Sequence, residues 1–170
     1  MCGIAGFVTA GAPPPDAESV LRRMSRTLSH RGPDDEGYHV SDGAWLGHQR
    51  LSIIDLSSGR QPIYGTGRHT CTVFNGEIYN YQTLKEELLS DGHQFAGQSD
   101  TEVLLRGYQA WGIDNLLERI DGMYAFALWD IGRQRMHLVR DRMGEKPLYY
   151  ACLPSGALVF ASEMNAVAIH

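Results

Sequence analysis

The stretch from residue 123 to residue 162 constrains the fold most. It holds four β-rich runs, at 123–129, 136–140, 148–153 and 158–162, separated by turns such as Pro154-Ser-Gly156. A parallel pair needs a crossover of about a dozen residues or more, so neighbouring runs this close must pair antiparallel, as a meander. Upstream, residues 3–8 read as a short apolar strand, and Gly11-Ala-Pro-Pro-Pro15 breaks it. Asp16 then caps a helix with Val20, Leu21, Met24 and Leu28 on one face. Short strands are expected at 38–40, 44–48 and 51–54. A further strand at 70–74 stops at the turn dipeptide Asn75-Gly76. A helix from Asn80 presents Leu84, Leu88 and Leu89 and ends at Gly92. Ser99-Asp-Thr-Glu102 has capping-box form and opens another helix through Tyr108. A short helix spans 114–120, and residues 163–169 begin a last one. Strands, helices and then strands again make an α+β layout of antiparallel sheets, not regular βαβ winding.

Composition bears on what such a fold can serve. A chain of 170 residues can remove about 70% of its unfolded surface from water, enough for a single domain over 1–170. With 43% hydrophobic and 21% charged residues, wholesale disorder is excluded. Lys and Arg number 15 against 20 Asp and Glu, a net charge of −5. Nucleic acid is therefore not expected as the primary partner, because phosphate binding calls for a basic face. No apolar run approaches the ~20 residues of a membrane helix, and the N-terminus lacks the basic region of a secretory signal. Cys2, Cys71 and Cys152 are odd in number and widely spaced, which speaks for free thiols in a reducing cytoplasm. His30, His48, His69 and His93 are scattered without HExxH or paired CxxC spacing, so no metal site is expected. Neither GxGxxG nor a P-loop occurs. Arg140-Asp-Arg142 and Lys146 read as a solvated or salt-bridged turn.

A few residues can carry chemistry. The small second residue suits removal of Met1, which would put a thiol and a free α-amine on Cys2. An α-amine has a pKa of about 7.7–8 and a thiol of about 8.5, so one can take the other's proton near neutrality. Nucleophile and base then share one residue. The same cysteine at a strand start also reads as a small, inert hydrophobe. Arg50 can hold a carboxylate bidentately, or make a surface salt bridge. An Asn75 amide and a Gly76 N–H can aim at one oxygen as an oxyanion hole, or form a plain turn. Asp100, in a first helical turn, can receive an ammonium or merely complement the helix dipole.

These residues lie within a series of segments in fixed order: Met1-Cys-Gly-Ile-Ala-Gly6, His30-Arg-Gly-Pro-Asp34, His48-Gln-Arg-Leu-Ser-Ile53, Phe74-Asn-Gly-Glu-Ile-Tyr79, Ser99-Asp-Thr-Glu102 and Asp121-Gly-Met-Tyr-Ala-Phe126. Arg140-Asp-Arg142 and Ser162-Glu-Met164 complete it. In number, order and spacing the series resembles the glutaminase domain of class II glutamine amidotransferases. It is most similar to the one at the N-terminus of glutamine-dependent asparagine synthetases, and the likeness runs over nearly the whole chain.

The resemblance implies a four-layer α/β/β/α N-terminal-nucleophile hydrolase sandwich, two antiparallel sheets face to face between helical layers. It implies Cys2 as nucleophile, with Asn75 and Gly76 as the oxyanion hole. Arg50 would bind the α-carboxylate of L-glutamine, beside a pocket of Leu51, Ser52, Ile53 and Ile54. Glu77 and Asp100 would meet the α-ammonium. The reaction would hydrolyse the side-chain amide through a thioester, with no metal or organic cofactor in this domain. Ammonia would pass to a synthetase domain or subunit, and ATP and Mg would belong there. That domain is expected outside this chain, since no SGGxDS-type loop occurs. A homo-oligomer is compatible with all of this. Two alternatives stand beside it: a catalytically silent interaction module, against which the retained Cys2, Arg50, Asn75, Gly76 and Asp100 speak, and an N-terminal-nucleophile amidase for some other amide.

Overall fold

The computed structural model describes residues 1–41, 43–52 and 59–170. In chain order the elements are β1 (Gly3–Val8), α1 (Ala17–Arg26), β2 (Asp35–Ser41), β3 (Ala44–Arg50), β4 (Ile63–Tyr64), β5 (Thr70–Ile78), α2 (Tyr81–Ser90), α3 (Asp100–Arg119), β6 (Gly122–Asp130), β7 (Arg135–Arg140), β8 (Tyr149–Cys152), β9 (Leu158–Ala161) and α4 (Met164–Val167). They form two sheets, ordered β2-β3-β1-β9-β8 and β4-β5-β6-β7, with every pairing antiparallel.

Alternation along the strands builds the layers. Ile4, Leu46 and Phe160 of the first sheet meet Val73, Ala125 and Ala127 of the second, all fully buried. The opposite face of the first sheet, with Phe7 and Val159, is covered by Leu21 and Met24 of α1 and Ala166 of α4. The opposite face of the second, with Phe74, Phe126 and Leu128, is covered by Leu84 and Leu88 of α2 and Leu104 and Tyr108 of α3. The result is helix, sheet, sheet, helix. Each fully buried Leu or Phe contributes about 1.5–3 kcal/mol. No described helix is long and apolar enough to cross a membrane.

Several local expectations are corrected. Asn75-Gly76 is no turn: β5 runs through it, with Asn75 opposite Ala125 and Gly76 opposite Tyr124. Long pairing with β6 outweighs the local turn preference. The run 123–162 is not one meander but two hairpins, β6–β7 in one sheet and β8–β9 in the other. Between them the chain changes sheet at a turn built on Asp141. Its carboxylate accepts the N–H groups of Tyr124 at 3.2 Å, Glu145 at 2.8 Å and Lys146 at 2.9 Å. Burial raises its pKa, but these bonds outweigh that and hold it below the usual range. Arg140 and Arg142 donate to the carbonyls of Lys146 and Leu117, so the basic cluster is a backbone-tied turn rather than a salt-bridged one.

Leu51 and Ser52 have already left the sheet, and Ile53 and Ile54 lie outside the described residues. Asp16 precedes α1, but its side chain makes no capping bond. The helices expected at 100–108 and 114–120 follow one another within α3 and break at Gly112, whose φ of 76° is open to glycine. Leu89 turns out half exposed. Strand β4, only two residues long, is an addition to the expected elements. The Ser99 cap is present, taking the Glu102 N–H at 3.2 Å. Gly92 closes α2 with a pair of bonds, His93 N–H to Leu88 at 2.9 Å and its own N–H to Leu89 at 3.1 Å.

Candidate active site

Strand register brings the candidate residues to one end of the inter-sheet layer. On β1 and β3, Ile4 stands opposite His48 and Gly3 opposite Gln49. One step further, the register sets Cys2 opposite Arg50. Side chains two apart share a face, so Cys2 and Arg50 lie on the face of Ile4, toward the second sheet. On β5, Val73 faces the first sheet, and Asn75 therefore does too. His48 ties the rows together: its Nε2 lies 3.2 Å from the Phe74 carbonyl, one residue from Asn75. A carbonyl only accepts, so Nε2 carries the proton. Burial drives the His48 pKa down to about 4, only partly opposed by that bond, and the ring is neutral near pH 7.

Cys2 is half-buried, and its thiol lies 3.9 Å from the Leu51 carbonyl. Its own carbonyl accepts from Arg31 Nε at 3.1 Å. Arg50 is buried at the end of β3. The Ser52 N–H donates to Asp34 at 2.7 Å, which anchors the segment leaving β3. Asn75 is 2% exposed, and its Nδ2 meets no partner among the described residues. A buried donor left unpaired costs about 1–3 kcal/mol.

The backbone of β5 completes the arrangement. Tyr124 directs its carbonyl to the Asp141 N–H and its own N–H to the Asp141 carboxylate, away from β5. Its partner Gly76 is therefore in a non-hydrogen-bonded pair and turns its N–H to the other side of β5. On that side the Phe74 N–H bonds to Gln61 Oε1 at 2.6 Å and the Ile78 N–H to Asp100 Oδ2 at 3.1 Å. The Gly76 N–H faces the space between them. Only glycine fits here, because a Cβ would lie 2.2 Å from the Met123 carbonyl oxygen and 2.7 Å from the Tyr124 Cα.

Asp100 opens α3 at the far side of that space. Burial pushes its pKa up, against the pull of the Ile78 and Thr101 N–H groups. Glu77 follows two residues on, on the same face as Asn75, and is exposed. The structure thus gathers Cys2, Arg50, Leu51, Asn75, Gly76 and Asp100 around one end of the sandwich, with Glu77 at the rim. Single-residue reasoning missed Arg31, His48 and Gln61, although Arg31 and His48 sit inside the ordered series of segments. An open concavity of about 550 Å³ lies elsewhere, on the Gln49 face of β3, lined by His30, Asp34, Asp35 and Glu36, and contains none of the candidate residues.

The sequence model of the glutamine amidotransferase domain family matches residues 1–170. The chain is 40% identical over 172 residues to the glutamine-hydrolyzing asparagine synthetase 3 of Bacillus subtilis (strain 168), covering 100% of this chain and 28% of that protein. It is 40% identical over 167 residues to the glutamine-hydrolyzing asparagine synthetase B of Escherichia coli (strain K12), covering 98% and 30%. It therefore spans less than a third of the length of these relatives. Among solved structures, one described as the allosteric regulatory enzyme of purine biosynthesis superposes with a TM-score of 0.80 at 23% identity, over 99% of this chain and 43% of that one. A glutamine phosphoribosylpyrophosphate amidotransferase from B. subtilis, complexed with ADP and GMP, gives 0.76 at 22%, with the same coverage. At such identities the likeness is one of fold.

Proposed function

Because the chain belongs to the glutamine amidotransferase domain family and has its four-layer N-terminal-nucleophile fold, we propose that it hydrolyses the side-chain amide of L-glutamine to glutamate and ammonia. With Met1 removed, the Cys2 sulfur attacks the amide carbon while the Cys2 α-amine takes the thiol proton. Negative charge grows on the carbonyl oxygen, where Asn75 Nδ2 and the Gly76 N–H receive it. The amine returns its proton to the leaving nitrogen, ammonia departs, and a γ-glutamyl thioester remains on Cys2. Water attacks the thioester, glutamate leaves and the thiol is restored. No metal or organic cofactor enters these steps.

Arg50 pairs with the substrate α-carboxylate through its planar fork. Leu51 and Ser52 wall the pocket beside it. Asp100 and Glu77 accept from the α-ammonium. A carboxylate whose burial disfavours its charge, as at Asp100, gains by meeting a cation. The ammonia serves an asparagine-synthetase-like amidation in a partner domain or subunit, where ATP and Mg act. One observation carries this reading: Asn75 Nδ2, buried and without a partner among the described residues, is followed along β5 by the outward Gly76 N–H, at the end of the sandwich where β1 delivers Cys2.

Intact-mass spectrometry, before and after treatment with an electrophilic glutamine analogue, tests it together with glutamate release. Loss of Met1 and a single adduct on Cys2 are expected, with turnover of glutamine preferred over other amides. A Met1-free protein that releases no glutamate would be a silent module. Undiminished turnover with Met1 retained would remove the terminal amine from the mechanism.

A further inference from the structure

We propose that Glu163 is a positioning residue for the Cys2 nucleophile, acting through Arg31. The inference rests on the glutaminase reading above and deepens it. A chain terminus is poorly ordered unless something ties it down. Once Met1 is gone, Cys2 is that terminus, yet its sulfur must be placed to within about 1 Å to react at full rate.

The ties come from the junction of β9 and α4. Ser162 is fully buried and locks residue 4 twice. The Ile4 N–H donates to Ser162 Oγ at 3.0 Å, and the Ser162 N–H donates to the Ile4 carbonyl at 2.8 Å. Glu163, the next residue, reaches back toward the strand end. Its Oε1 accepts from Arg31 Nη1 at 3.1 Å and lies 2.8 Å from His30 Nε2. Arg31 in turn donates from Nε to the Cys2 carbonyl at 3.1 Å. That bond fixes the peptide plane carrying the Cys2 Cα. The Leu51 carbonyl, 3.9 Å from the thiol, then sets the direction of the sulfur.

Arg31 cannot do this alone. Its side chain is only 9% exposed, so water cannot orient the guanidinium, and its Nη2 has no partner among the described residues. Glu163 is the carboxylate that turns the Nε edge toward Cys2. Burial raises the Glu163 pKa, but Arg31 and His30 outweigh it and keep the group ionised. Glu163 reaches the nucleophile only by way of the Arg31 guanidinium, and its role is to aim the sulfur rather than to react.

Steady-state glutamine hydrolysis by the parent and by Glu163→Gln tests this, with thermal melting alongside. The expected result is a kcat lower by roughly 10- to 100-fold, with KM for glutamine within about twofold and the melting transition preserved. Arg31→Gln combined with Glu163→Gln should be no slower than Arg31→Gln alone, because both act through one contact. Should Glu163→Gln fail to fold, Glu163→Asp keeps the charge but shortens the reach, and the same fall in kcat is expected. Full kcat in the folded variant, a rise in KM alone, or multiplying effects in the double variant would overturn the inference. A parent that releases no glutamate sinks the proposed function itself, whereas an active parent with an unaltered variant sinks only the role of Glu163.

Discussion

His48 Nε2 on β3 donates to the Phe74 carbonyl on β5 across 3.2 Å, so a buried imidazole bridges the two sheets beside Asn75. Its depressed pKa links this bridge to pH. The unfolded chain takes up the proton near 6.5, while the folded protein resists until about 4. Stability is therefore complete above the unfolded value and falls as pH drops through that window. The change is roughly 3 kcal/mol for this one group. His48→Gln keeps a donor for the Phe74 carbonyl but does not titrate. Denaturant midpoints measured from pH 7 to pH 4 should fall more steeply for the parent than for this variant. Parallel curves would show that His48 is not the titrating bridge.

Asn75→Ala removes the side-chain donor from the developing oxyanion and leaves β5 paired with β6. Turnover of glutamine should drop by roughly 100- to 1,000-fold, the usual cost of one oxyanion donor. Near-normal turnover would take Asn75 out of that role.

What the sequence discloses and what it hides separate along physical lines. Strands β1, β6, β7 and β9 are legible because apolar runs bounded by turn residues are local signals. The end of α2 at Gly92 and the Ser99 cap are legible for the same reason. Asn75-Gly76 misleads because its pairing partners are Ala125 and Tyr124, and no local preference reports a partner so far along the chain. The change of sheet after β7 is hidden because it depends on three backbone N–H groups converging on Asp141. The candidate residues are legible through the order of their segments, not through their individual chemistry. Arg31 contacts Cys2 across a separation of 29 residues and Glu163 across 132, distances over which periodicity carries no information.

Gly76→Ala tests whether the outward N–H depends on close backbone approach. The added Cβ would meet the Met123 carbonyl oxygen at 2.2 Å, and that carbonyl cannot move without disturbing the paired backbone of β6. Stability should fall by about 1–3 kcal/mol, as for other overpacked sites, and turnover should fall with it. Denaturant unfolding and glutamate release check the two effects separately. A stable, fully active variant would mean that the N–H tolerates displacement and is not a positioned donor.

Arg50→Lys separates charge from shape at the substrate carboxylate. Arg50 is buried at the end of β3, on the face that carries Cys2, where the guanidinium can meet a carboxylate with two parallel N–H groups. Lysine keeps the charge but presents a single point donor. Losing one charge-assisted bond costs about 1.5–3 kcal/mol, which corresponds to roughly a 10- to 100-fold weaker affinity for glutamine. Titration calorimetry in a Cys2→Ala background isolates binding from chemistry. The chemical step should suffer less than binding, because the fork is remote from the amide carbon. Unchanged glutamine affinity would argue that another group receives the α-carboxylate.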